Sequence, residues 1–157
     1  MSLFLRRAGL GVGIVALQWL VLGRLQIWGA FPDAVLLYVV LIGLRHGRLE
    51  GSITGFALGV LMDALYGTWG MQMFVKTIIG FLIGLFPSKE RLYFLFRPGF
   101  AFLGALITAF VHNGLLLILF AVQSGTRTIT LVTVILLGSS IYTAFVGTLA
   151  SLLTGRR

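Results

Sequence analysis

Residues 51–66, GSITGFALGVLMDALY, carry Gly51, Gly55, Gly59 and Asp63 at strict four-residue spacing within a helix-length apolar run. Residues four apart share one helical stripe. Three of these positions lack a side chain, so a neighbouring helix can approach closely, and a carboxylate points into the same contact. Among acyl chains an unpaired carboxylate at mid-depth would cost roughly 3 kcal/mol or more, so the stripe must face protein.

Composition gives the reason to consider lipid as the solvent. The 157 residues have a mean hydropathy of +1.06, are 59% apolar and only 10% charged, whereas about a quarter of the residues of a soluble domain are charged. The expectation is an all-α, polytopic integral membrane protein forming a single domain, 1–157, with no linker or low-complexity tail. The first apolar stretch runs on to Trp28 without a convincing cleavage site, so it reads as a retained helix. Cys is absent, which excludes disulfides and thiol chemistry.

Working outward from residues 51–66, the apolar segments are Gly9 to Gly23 with a Trp-containing extension, Asp33 to Leu44, Gly51 to Tyr66, Gly70 to Phe86, Pro98 to Val122 and Ile129 to Leu153. None alternates as a lipid-facing barrel strand would. A net charge of +8 raises nucleic acid as a partner. The basic residues lie between the apolar segments, however, and not on one face, which argues against a nucleic-acid footprint. With six crossings and both termini cytoplasmic, Arg6, Arg7, Arg45, Arg48, Lys89, Arg91, Arg97, Arg156 and Arg157 fall inside, and only Arg24 and Arg127 outside. Asp33 to Leu44 is short for a ~30 Å hydrocarbon core. Five spans, with that segment lying at the interface, is the alternative. Trp28 and Trp69 mark the outer boundary, and Tyr93, Phe94 and Phe96 the inner one. The inner run SKERLYFLFRPG is positioned to touch lipid headgroups or serves simply as a topology determinant.

The run from Phe31 to Gly84, FPDAVLLYVVLIGLRHGRLEGSITGFALGVLMDALYGTWGMQMFVKTIIGFLIG, resembles the rod shape-determining MreD family. The pattern is a Pro-Asp opening a short apolar segment, a Gly-bearing basic turn, a Gly-spaced helix ending in Asp63, a short Gly67 to Gly70 turn and another apolar helix. It covers about a third of the chain. The resemblance implies a bacterial inner-membrane scaffold or regulator of cell elongation. Its partners would be the transmembrane helix of MreC and, through MreC, the actin-like MreB and the SEDS glycosyltransferase and class B penicillin-binding protein that build peptidoglycan. That family is similar in fold to the substrate-binding S components of energy-coupling-factor vitamin transporters, so an S-component-like bundle is the implied architecture. Vitamin binding is the alternative function. The first helix lacks an Ala-x-x-x-Ala pattern of the kind S components use for coupling, since Ala8 and Ala16 are too far apart.

The polar residues point away from catalysis. Of the four acids, Asp33, Glu50, Asp63 and Glu90, only Asp63 reads as well inside a span, with no second acid beside it. Two distant histidines without Cys make a poor metal set, and no nucleophile, phosphate loop or cofactor fingerprint is present. The expectation is a protein without enzyme activity, cofactor or metal. Counting ~1.5 Å per residue places Asp63, Lys76 and His112 at a similar level in the outer half of the membrane, with Asn113 adjoining. Lys76 then neutralises Asp63 in a buried polar layer, or snorkels to the outer surface. The layer fixes helix register or binds a ligand. Gly51, Gly55, Gly59, Gly80 and Gly84 serve helix packing or partner docking, with Trp69 in the adjoining outer turn. Ala101, Ala105, Ala109 and Asn113 repeat the four-residue spacing, and Ser140, Thr143, Gly147, Ser151 and Thr154 form a small polar stripe on the last helix. Gln18 stands as a lone polar residue suited to a packing hydrogen bond.

Overall fold

A computed structural model of the chain describes residues 3–86, 98–124 and 132–154. Among them there are six α-helices and no strand: α1 Leu3–Leu20, α2 Ala34–His46, α3 Arg48–Tyr66, α4 Met71–Gly84, α5 Pro98–Ser124 and α6 Ser139–Thr154. A 3₁₀ turn, Leu22–Arg24, follows α1, and a π-helical turn, Val134–Gly138, leads into α6. The basic run with Lys89, Arg91, Arg97 and its aromatic neighbours, together with Arg127, Arg156 and Arg157, lies outside the described residues.

Short connections set the topology. Asp33 caps α2 by accepting from the Leu36 amide at 2.7 Å. Gly47, at φ +91°, turns the chain directly into α3, and Gly67, at φ +67°, ends it. α2 is central. Its Val35, Tyr38, Val39 and Ile42 pack with Val15 of α1 and Leu58 and Met62 of α3. On another face Leu36 joins Met71, Val75 and Ile79 of α4 and Ala109 and Leu116 of α5. α5 and α6 pair with each other, with Phe102 and Phe145 edge to face at 5.5 Å.

Both ends of α2 are tied to α1. At one end Arg7 donates to Glu50 at 2.7 Å and contacts His46 at 2.6 Å. At the other, Gln18 donates to the Pro32 carbonyl at 2.8 Å and accepts from the Ala34 amide at 2.9 Å. α2 therefore runs antiparallel along α1 and does not lie across the end of the bundle. Gln18 is the packing hydrogen bond its isolation suggested.

The glycine stripe faces α4. A Cβ on Gly51 would run into the Gly80 carbonyl, one on Gly55 into the Lys76 carbonyl, one on Gly59 into Met73 Cα, and one on Gly84 into Arg48. Going down α3 while going up α4, these contacts make one antiparallel, backbone-to-backbone seam. Of the two roles open to Gly51, Gly55, Gly59, Gly80 and Gly84, the structure assigns internal packing. Gly43 of α2 joins the seam: its Cβ position is 3.1 Å from the Gly80 carbonyl.

Two stretches, Leu5–Arg24 and Gly99–Val122, are long and apolar enough to cross a membrane, and Ala34–His46, Met71–Gly84 and Leu136–Leu152 are apolar but shorter. Beside its apolar cores the bundle buries a charged side chain and leaves large apolar ones exposed. Lys76 is 0% exposed, whereas Phe145 is 63% exposed and Ile118 61%.

Candidate functional site

The polar layer forms, with a different acid from the one expected. Lys76, in the second turn of α4, places Nζ 2.6 Å from Asp33 Oδ2, 2.7 Å from Gln72 Oε1 and 3.2 Å from His112 Nε2. An ammonium has three N–H donors and no acceptor, so these three contacts use all of them. His112 Nε2 is then an acceptor, which puts the imidazole proton on Nδ1, where it is donated to Asn113 Oδ1 at 3.2 Å. Asn113 donates to Ser140 Oγ at 3.0 Å, and the Ser140 hydroxyl donates to the Leu136 carbonyl. One directed chain of hydrogen bonds thus passes from α4 through α5 to α6.

Asp33 is the second hub. Besides its contact with Lys76 and its cap on α2, its own amide donates to Thr143 Oγ1 at 3.0 Å, and that hydroxyl donates to the Ser139 carbonyl at 2.7 Å. The Phe31 amide reaches Ser139 Oγ at 3.3 Å. The chain entering α2 is therefore held by α6 on one side, by Gln18 of α1 on another and by Lys76 on a third. Every described buried side-chain nitrogen or oxygen has a partner.

Lys76, His112 and Asn113 come together as expected, but Asp63 does not join them. Its carboxylate accepts from the Gln72 amide at 3.0 Å and the Met73 amide at 2.9 Å, and from the Thr68 hydroxyl. Those amides belong to the first turn of α4, whose own cap position is Gly70 and has no side chain to offer. Asp63 caps α4 from the last turn of α3, and at the N-terminus of α4 its negative charge also suits the dipole of that helix. Asp63→Ala should cost about 1–2 kcal/mol, read as a lower unfolding midpoint in detergent. Asp63→Asn, which keeps an acceptor, should lose clearly less, and equal losses would refute the capping role.

Asp33, Gln72, Ser140 and Thr143 are the members of the network that the sequence reading left out of the layer. The signal for Asp33 was the brevity of α2: at ~1.5 Å per residue its 13 residues cover about 20 Å. In a ~30 Å hydrocarbon core a helix that short would leave an end inside, and Asp33 is indeed buried, at 8% exposed. Among the described residues no three His, Asp or Glu side chains converge as a metal site requires.

The two turns expected at the outer boundary carry the remaining candidate. Trp69 and Gly70 lie at φ +44° and +90°, with the Met71 amide bonded to the Thr68 carbonyl at 3.2 Å. Trp28 and Gly29 repeat this geometry at φ +52° and +86°, between Ile27 and Ala30, which exchange two backbone bonds of 2.9 Å. Both have the twin positive φ of a type I′ turn, which favours Asn-Gly and penalises a bulky first residue. Yet Trp28 is 93% and Trp69 88% exposed.

No protein-family model, curated protein or solved structure matches this chain significantly.

Proposed function

We propose that this chain is a multi-pass protein of the bacterial inner membrane that acts as a non-catalytic scaffold or regulator of cell elongation. It docks the transmembrane helix of MreC and, through it, MreB, the SEDS glycosyltransferase and the class B penicillin-binding protein. The partner identities rest on the resemblance of Phe31 to Gly84 to MreD. The membrane assignment is supported by the apolar exterior, and the orientation by the gathering of Arg7, Arg45, His46 and Arg48 at the end of the bundle opposite Trp28 and Trp69.

The observation that carries the scaffold reading is the self-contained polar network. A ligand-binding subunit needs several polar groups converging on a cavity. Here the buried polar groups are matched to one another across α1, α2, α4, α5 and α6, an arrangement suited to holding one rigid shape. The vitamin-transporter alternative gains no comparable support. Affinity purification of the tagged protein from native membranes, followed by mass spectrometry, separates the two: recovery of MreC supports the scaffold, and recovery of transporter ATPase subunits overturns it.

Since the glycine seam is internal, docking needs another surface, and the outer turn with Trp69 is the candidate. Trp69→Asn relieves a strained bulky residue at a position that accepts Asn, and an 88% exposed side chain has little packing to lose. The variant should unfold at slightly higher temperature, with a gain of about 1 kcal/mol, while retaining less MreC on co-purification. Unchanged MreC recovery from a stabilised Trp69→Asn protein would move the docking surface elsewhere.

A further inference from the structure

A cavity of about 510 Å³ opens laterally along α2, within the ~300–1,000 Å³ range of small-molecule sites. Leu37 and Leu41 of α2, Ala101 and Ala105 of α5 and Gly147 of α6 line it, and along α2 the lining runs from Ala34 to Arg45. The lining is predominantly apolar, and its one charged member, Arg45, lies at the α2 C-terminal end of the trough. At Gly147 α6 packs close against α2 and α5: a Cβ there would stand 3.0 Å from Leu37 and 3.2 Å from Ala105.

Arg45 lies in the last turn of α2 and is exposed. The nearby acid, Glu50, is already held by Arg7 at 2.7 Å and lies 3.9 Å from His46. Among the described residues no carboxylate pairs with Arg45. A guanidinium at the end of an apolar trough favours a phosphate with a hydrocarbon tail, since the planar fork binds phosphate through paired hydrogen bonds. Length agrees as well. One leaflet contributes about half of the ~30 Å hydrocarbon core, and α2 offers about 20 Å of lining.

We infer that this trough holds one anionic phospholipid from the cytoplasmic leaflet, with its phosphate on Arg45 and an acyl chain along α2, an inference that rests on the membrane reading above. The lipid serves as a structural wedge between α2 and the α5–α6 pair.

The test is native mass spectrometry of the detergent-purified full chain with added phosphatidylglycerol or phosphatidylcholine. Wild type should retain one phosphatidylglycerol in preference to phosphatidylcholine. Arg45→Gln should weaken phosphatidylglycerol about tenfold and abolish the preference. Ala101→Phe, which fills the wall side of the trough, should expel both lipids while leaving the Arg45 charge in place. Equal retention of the two lipids by wild type, no effect of Arg45→Gln, or undiminished binding by Ala101→Phe would each overturn the assignment. Displacement of the lipid by stoichiometric MreC would give the trough to a partner helix and overturn it as well. Membrane sedimentation in cells separates the two levels. A chain that does not sediment with membranes loses the membrane reading and this inference with it, whereas one that sediments without lipid preference loses this inference alone.

Discussion

Lys76→Met should destabilise the bundle by about 3–5 kcal/mol, because it leaves the Asp33 carboxylate buried without its cation. Met matches the length and volume of the lysine stem, so the loss is electrostatic and not a cavity effect. Asp33→Asn alone should be costly for the mirror reason, leaving an ammonium with only neutral acceptors. Combining the two should restore a large part of the loss, giving a coupling above about 1 kcal/mol in a double-mutant cycle, measured by denaturant unfolding in detergent. Asp63→Asn with Lys76→Met should instead add within about 0.5 kcal/mol, since Asp63 contacts the α4 amides and not the lysine. Coupling at Asp63 and additivity at Asp33 would reverse the assignment of the buried pair.

The second large effect is expected at Gly55. An alanine there already places its Cβ against the Lys76 carbonyl, and helix backbones cannot step aside as a flexible side-chain end can. Gly55→Leu should therefore cost more than about 4–5 kcal/mol and appear as loss of folded protein in size-exclusion profiles, with no folded fraction in which MreC binding is selectively lost. Gly9→Ala and Gly13→Ala are the matched controls. A Cβ at either position meets nothing within 4 Å, and Ala is the better helix former by about 0.5–1 kcal/mol. A folded, monodisperse Gly55→Leu protein would mean that α3 and α4 do not share this seam.

Which parts of this structure were legible in the sequence follows from the kind of signal each leaves. Helices announce themselves by uninterrupted apolar runs, and the seam by glycine at four-residue spacing, because both are local periodicities. Lys76, His112 and Asn113 were brought together by depth counting, which works where a residue sits in mid-helix. It failed for the two acids at helix ends. Asp33 was set aside because it opens a short segment, although that very shortness carries it into the interior. Asp63 was paired with Lys76 because depth counting treats a side chain as lying level with its own turn. The tight Gly67–Gly70 turn instead brings the first amides of α4 within reach of the last turn of α3. No periodicity marks Gln72, and the small polar stripe that carries Ser140 and Thr143 does not say which groups they bond. Their roles depend on how helices far apart in the chain are rotated against each other.

On the membrane reading proposed above, the saturated surroundings of Lys76 also bear on how such a chain is made. Synthesis proceeds from the N-terminus, so Asp33 emerges before Lys76, and His112 and Ser140 only afterwards. A lysine entering a bilayer alone at mid-helix costs roughly 2.5–3.5 kcal/mol, enough to make the isolated α4 a poor candidate for independent insertion. Its acid is already waiting on α2 when it arrives, and the α3–α4 glycine seam joins the two neighbours of the turn at once. The order of residues along the chain thus lets the ribosome deliver the counter-ion before the ion, leaving α5 and α6 to close the site as the last helices leave the translocon.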